Sequence, residues 1–255
     1  LFSQSFDPRW GGFGPAPKFP SPHNLIFLLR YAHYAGDGQA QEMALQTLDA
    51  IYRGGLFDHI GGGFSRYSTD ERWLVPHFEK MLYDNALLAL AYTEAFQATR
   101  RPVYGEIVCR TLDHMLRELS APQGGFCCGQ DADSEGEEGK YYTLSTGELE
   151  RLLGASGARQ FCQWYGVTPE GNFEGKCIPN LLNQASFDRE PAEIPALRER
   201  VYAYRLARTP LPRDDKVLTA WNGLALAALA HAGLVLDEPR YRDYARQTAD
   251  FLQDK

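Results

Sequence analysis

The chain has 255 residues, 44% of them hydrophobic, enough to bury a substantial core in one large domain. Lys and Arg total 26 against 33 Asp and Glu, for a formal net charge of -7. That excess removes the attraction that nucleic-acid and anionic-membrane binders rely on, so neither partner is expected. Cys109, Cys127, Cys128, Cys162 and Cys177 are odd in number, include an adjacent pair and form no Cys-x-x-Cys, which reads as reduced thiols in a cytoplasmic protein. No apolar run is long enough to span a bilayer and no signal peptide appears. A start at Leu1 without methionine and a stop within a helical pattern at Lys255 are expected of a piece of a longer chain.

In chain order the predicted helices alternate between two kinds. Asn24 to Tyr34 is apolar nearly all round and needs neighbours on every side; the next helix carries one stripe, Ala44, Leu48, Ile51 and Tyr52, and can face water. Phe78 to Thr99 is again apolar all round, followed by the stripe Val108, Leu112, Met115, Leu116 and Leu119. After the amphipathic stretch Ile194 to Arg208, Val217 to Leu236 is apolar all round, and the stripe Tyr241, Tyr244, Ala245, Thr248, Phe251 and Leu252 closes the series.

A repeat matches the alternation. Asn24, Asn85 and Asn222 open similar segments, and Thr47-Leu48-Asp49, Thr111-Leu112-Asp113 and Thr248-Ala249-Asp250 follow 23, 26 and 26 residues later. The unit is an inner-helix, outer-helix hairpin. The gap from Asn85 to Asn222 leaves room for a fourth, degenerate hairpin with Ile194 to Arg208 as its outer helix. The predicted fold is all-α: a single α/α toroid over residues 1–255, incomplete because four hairpins do not close a six-hairpin ring, with a small β-hairpin in a loop. An open α-solenoid is the alternative, but its loops are normally short.

Here the loops Arg53 to His77, Gln123 to Tyr142 and Gly166 to Leu182 are long, glycine-rich and polar, as functional loops are. The first holds His59, Gly61-Gly62-Gly63, Arg66, Tyr67, Trp73 and His77; Glu79, Lys80, Tyr83 and Asp84 follow. His77 is predicted at the start of an inner helix, where the positive end of the helix dipole favours developing negative charge. In the second loop Asp131, Asp133 and Gly136 copy the opening of an EF-hand, but Glu135 and Tyr142 stand where the fifth and twelfth positions need other ligands, so no metal is assigned. A hairpin from Phe126 to Tyr142 is expected there, with Asp131 and Asp133 on one face. The third cluster, Asn172, Glu174 and Lys176, mixes charges in a turn. The fourth sets Asp214 and Asp215, either of them a possible helix cap, ahead of Trp221 and Asn222.

Gly14-Pro15-Ala16-Pro17-Lys18-Phe19-Pro20, the block His59 to Asn85, Asp131 to Gly136, Gly171 to Lys176 and Asp214 to Gly223 resemble the family of thioredoxin-domain-containing proteins that includes YyaL and spermatogenesis-associated protein 20. The resemblance spans nearly the whole chain. It implies a thioredoxin-like domain, absent here, followed by a toroid similar to N-acylglucosamine 2-epimerases and six-hairpin glycosidases. That domain is the expected partner within the full-length protein, and a small sugar is the expected substrate. Thiol redox chemistry does not carry over without a Cys-x-x-Cys.

The leading functional expectation is sugar epimerisation or isomerisation, with His77 and His59 as acid and base, Glu79 tuning His77, and Asp133 as a further catalytic candidate. Arg66, Tyr67, Trp73, Lys80, Tyr83, Asp84, Asp131, Asn172, Glu174, Lys176, Asp214, Asp215, Trp221 and Asn222 are the substrate-binding candidates, and no cofactor is expected. Glycoside hydrolysis is the alternative, through paired carboxylates, Asp133 with Glu79 or Asp215. A non-catalytic sugar- or protein-binding module is the third.

Overall fold

The computed structural model describes residues 1–254. Its helices are α1 (Phe2–Ser5), α2 (Pro22–Ala35), α3 (Gly38–Arg53), α4 (Leu82–Thr99), α5 (Pro102–His114), α6 (Thr146–Tyr165), α7 (Ile194–Arg208), α8 (Thr219–Val235) and α9 (Pro239–Gln253); a π-helical turn, Met115–Leu119, extends α5. Local sequence sets several ends. Asp37 accepts the N–H groups of Gln39 and Ala40 to start α3, Ser145 and Glu148 form a capping box on α6, and left-handed Gly36 and Gly166 end α2 and α6.

Three hairpins, α2–α3, α4–α5 and α8–α9, stand in one row, with α4 packed on α2 at one side and on α8 at the other. Buried residues therefore ring α4, including Leu82, Ala86, Leu88, Tyr92 and Ala95. α2 and α8 have one row neighbour each and leave Phe27, Tyr34 and Leu234 exposed. The row is an arc of an α/α toroid.

The fourth hairpin exists, α6–α7, but it does not enter the row as expected, because α8 packs directly on α4. Neither helix is suited to an inner position. α6 buries a single stripe, Leu149, Leu153, Ala158, Phe161 and Tyr165, and is kinked at Gly154, whereas α7 buries only Ile194, Val201 and Arg205. The pair is an insertion ahead of α8.

The repeat markers have structural reasons. Thr47, Thr111 and Thr248 donate their hydroxyls to the carbonyl four residues back, which satisfies a polar group in a packed helix. Asp49 accepts from Arg101 at 2.8 Å and from the Tyr104 hydroxyl at 2.7 Å; Asp113 meets Arg240 and the Tyr241 hydroxyl, both at 3.1 Å. Each aspartate thus ties its outer helix to the start of the next.

Asn85 and Asn222 are clamps. Asn85 Oδ1 accepts Phe64 N–H at 2.7 Å while its amide donates to the Phe64 and Met81 carbonyls; Asn222 does the same to Phe126 and Leu218. Asn24 makes no such clamp; there Thr47 Oγ1 accepts the Gly12 N–H instead. The clamped segments are a second repeat, Gly-Gly-Phe at 11–13, 62–64 and 124–126, closed by the bridges Phe6–Phe13, Phe57–Phe64 and Ser120–Phe126. Gly63 (φ 76) and Gly125 (φ 68) are required: a Cβ there would lie 3.0 and 2.8 Å from the Oδ1 of the clamping asparagine.

Short strands draw the loops together. β1 (Tyr67–Ser68) pairs with β2 (Pro76–His77); β3 (Lys80–Met81) pairs with β4 (Gly129–Gln130), which pairs with the later Arg213–Asp214; β5 (Asp133–Ser134) and β6 (Glu137–Glu138) form the loop hairpin. That hairpin is shorter than the expected Phe126 to Tyr142, since Gly129–Gln130 is used in the sheet beneath α4 and α8.

Under these strands lies a buried ion cluster. Asp58 is gripped by Arg205 at 2.9 and 2.7 Å, by Lys80 at 2.8 Å and by the N–H groups of Ile60 and Gly61. Burial alone would raise its carboxyl, but the Arg205 and Lys80 charges outweigh that and hold it well below the usual range. Arg205 thereby fastens the inserted hairpin to the second glycine loop.

Candidate functional site

The backbone entering α4 is extended before it coils, and its side chains collect at the N-terminal ends of α4 and α8. β1–β2 pairing sets Tyr67 opposite His77, and the β3–β4 and β4–Arg213–Asp214 pairings tie the entries to both helices into one sheet. His77 and Glu79 therefore lie ahead of the helix, not on its first turn as expected; Tyr83 and Asp84 occupy that turn.

Arg66 is the hub. Its Nη1 donates to Glu79 at 3.0 Å and its Nε to the Tyr83 hydroxyl at 3.2 Å. Tyr83 packs on Trp221 at 4.7 Å between ring centroids, which joins α4 to α8. His77 Nδ1 lies 2.8 Å from Glu138 and its Nε2 3.7 Å from Glu79, and its ring stacks on Tyr67 at 5.1 Å. The cluster meets solvent, with the Arg66 side chain 41% and that of His77 31% exposed.

Asp84 differs from its neighbours. It is buried, and its Oδ2 has no hydrogen-bond partner. Burial raises its carboxyl to about 7, against the opposing pull of the Tyr83 hydroxyl and the Arg66 guanidinium. A first-turn aspartate ordinarily gains from the helix dipole as an anion; here desolvation wins. Tyr83 is in turn pushed up, by burial first and then by the Asp84 charge. The arrangement holds a carboxyl able to give up or accept a proton near neutral pH beside a cation and a phenol, with the Trp221 indole packed on that phenol.

Other predicted residues have different settings. His59 is buried among Tyr52, Phe57 and Tyr165, with Nε2 3.0 Å from the Gly54 carbonyl; burial and then the Arg110 charge push it down to about 3. It is not brought together with His77. Lys80 points into the ion cluster, and Trp73 is wholly buried with its indole donating to the Trp10 carbonyl. Asn222 clamps Phe126. Asn172 bonds both backbone groups of Ile178, and Phe173 and Lys176 close a turn with Glu174 exposed at its tip, so the third cluster is a tight turn against Phe78.

Asp131, Asp133, Asp214 and Asp215 are exposed. Asp131 accepts the Asp133 N–H, and Asp133 pairs through its backbone with Glu138, the residue that reaches His77. Asp214 pairs with Lys216, and α8 starts at Thr219 with Leu218 as its N-cap residue and no side-chain cap. Glu138 escaped sequence reasoning because only the β5–β6 register shows which acid of the loop meets His77. Asp58 was legible: Phe-Asp stands before Gly-Gly-Phe in two repeats, at Asp7 and Asp58, and each aspartate holds a lysine, Lys18 or Lys80. A cavity of about 670 Å³ lies elsewhere, lined by Trp10, Gln46, Asp49, Arg53 and Phe187. Among the described residues no three His, Cys, Asp or Glu side chains are grouped to hold a metal, and no helix is long and apolar enough to cross a membrane.

No protein-family model matches the chain. Human spermatogenesis-associated protein 20 is 38% identical over 288 aligned positions, covering 98% of this chain and 37% of the human protein; the mouse protein of that name is 37% identical, with 98% and 36% covered. The chain thus spans little more than a third of the curated relatives it matches. Among solved structures, a family 76 glycoside hydrolase from a bovine Bacteroides thetaiotaomicron strain aligns with a TM-score of 0.56 at 10% identity, over 93% of this chain and 35% of that one. A family 76 mannosidase from Bacteroides thetaiotaomicron gives 0.55 at 11%, over 93% and 44%. At such identities the likeness is one of fold, the α/α toroid.

Proposed function

Because the chain belongs, along nearly its whole length, to the family of spermatogenesis-associated protein 20, we propose that the mouth formed by Arg66, His77, Glu79, Tyr83, Asp84 and Trp221 is a carbohydrate-active site with Asp84 as its proton donor. The observation that carries this reading is the buried, unpartnered Asp84 oxygen on a carboxyl raised to about 7. The toroid fold shared with family 76 glycoside hydrolases makes a sugar the natural ligand class.

Acid-assisted cleavage of a glycosidic bond suits these groups best. Protonated Asp84 gives its proton to the bridging oxygen as the bond from that oxygen to the anomeric carbon breaks, and Glu79, held by Arg66, faces the resulting cationic carbon or the water that adds to it. Trp221 and Tyr83 supply an aromatic wall, and Arg66 holds hydroxyl oxygens. Epimerisation through His77 and His59 is less well supported, because two bases must reach one carbon and His59 is buried among core rings. A thioredoxin-like domain in the full-length protein and a cytoplasmic location belong to the same proposal.

The test is turnover of linear α-1,6-manno- and β-1,4-gluco-oligosaccharides by the full-length protein, followed as new reducing ends. Asp84→Asn is expected to lower kcat by about 100-fold or more while sugar still binds, and wild-type kcat is expected to fall as pH rises through about 7, where Asp84 loses its proton. Undiminished turnover in Asp84→Asn would defeat the assignment, and binding without turnover by the wild type would make the mouth a recognition module.

A further inference from the structure

Phe19 is 54% exposed, yet its backbone is held firmly. The adjacent Lys18 exchanges two backbone hydrogen bonds with Ser68, at 2.8 and 2.9 Å, and its buried ammonium donates to Asp7, the Gly11 carbonyl and the Glu71 carbonyl. The Phe19 ring stacks on Tyr67 at 4.8 Å and 27°, and Tyr67 stacks on His77 at 5.1 Å and 24°. Three rings thus run outward from the Arg66–Glu79 centre and end in an aromatic face open to water. Exposure of a large apolar ring forfeits the benefit of burying it, and here a buried lysine paired with half-buried Asp7 fixes the segment that presents the ring. Such a ring is pre-organised, so a ligand that covers it loses little freedom of the protein on binding.

We infer that the free face of Phe19 is an outer saccharide subsite, so that the ligand is a chain of at least two sugar units and not a free monosaccharide. This rests on the reading of the mouth as carbohydrate-active. A pyranose presents an apolar C–H face suited to an aromatic ring, and its hydroxyls remain in water at this rim. Phe19 lies two ring stacks beyond His77, a span that a single sugar ring at Asp84 does not cover.

Calorimetric titration of the full-length protein with α-1,6-manno- and β-1,4-gluco-oligosaccharides of one to four units tests the subsite. Affinity is expected to rise from one unit to three. Phe19→Ala should weaken the three-unit ligand by roughly fivefold or more and leave the monosaccharide unchanged, and Phe19→Trp should restore the longer ligand. A thermal midpoint equal to wild type confirms folding, with Phe19→Leu as the substitute variant should alanine lower it. Binding that ignores chain length, or equal weakening of short and long ligands by Phe19→Ala, overturns the subsite and leaves the mouth intact. Absence of binding by any saccharide overturns the carbohydrate reading and the subsite with it.

Discussion

Asp58 and Asp84 are both 8% exposed, and they meet opposite fates. Asp58 has two cations and two backbone N–H groups around it and is held well below the usual carboxylate range; Asp84 keeps an oxygen without a partner and is raised to about 7. Depth alone therefore says little about role. What separates a carboxylate held ionised from one raised toward neutrality is whether its neighbours satisfy the charge that burial penalises.

The largest expected effect is on the paired member. Asp58→Ala strands Lys80 and Arg205 without a counter-charge and is expected to cost about 3–5 kcal/mol in urea unfolding; a loss below about 1 kcal/mol would show that water reaches the cluster. The clamps come next: Asn85→Ala and Asn222→Ala each remove bonds to a buried glycine strand, with an expected cost of about 2–3 kcal/mol. Nearly equal values would support their structural equivalence, and a harmless Asn222→Ala would break it.

Asp84 tests the other side of the comparison through pH. Its folded-state value lies above its unfolded one, so the contribution of its protonated form is complete below about pH 4 and is lost as pH rises through about 7. Wild type is thus expected to lose stability relative to Asp84→Asn between pH 4 and pH 8, read as a fall in its urea midpoint that the variant does not share. Parallel unfolding curves across that range would remove Asp84 as a proton donor. The smallest effect is expected at Asp7, which copies the Asp58 motif with one lysine and more solvent; Asp7→Asn should cost about 1 kcal/mol, read as a small shift of thermal midpoint. A cost equal to that of Asp58→Ala would mean that Arg205 adds nothing to the buried cluster.

Much of the candidate site was legible as residue types near the glycine loops: Arg66, Tyr67, His77, Glu79, Tyr83, Asp84 and Trp221 do come together. Four other candidates are drawn away from the cluster for one physical reason. Histidine, lysine, tryptophan and asparagine serve a reaction or a packed core with the same atoms, and His59, Lys80, Trp73 and Asn222 turned out to bond the backbone carbonyls of Gly54, Gly62, Trp10 and Phe126. The Gly-Gly-Phe repeat was also present in the letters, and asparagine clamps account for two of its three occurrences.

The alternation of all-round and one-sided apolar helices, together with the Asn and Thr-x-Asp markers, determined from the chain alone that paired helices stack in a row, since periodic burial is a local property of the letters. Only the tertiary structure decided that α6–α7 stands outside that row, that Glu138 reaches His77 and that Asp84, not His59, is the perturbed group at the mouth. Those outcomes depend on which distant charges and rings surround a side chain, and desolvation is a property of surroundings that no single stretch of sequence contains.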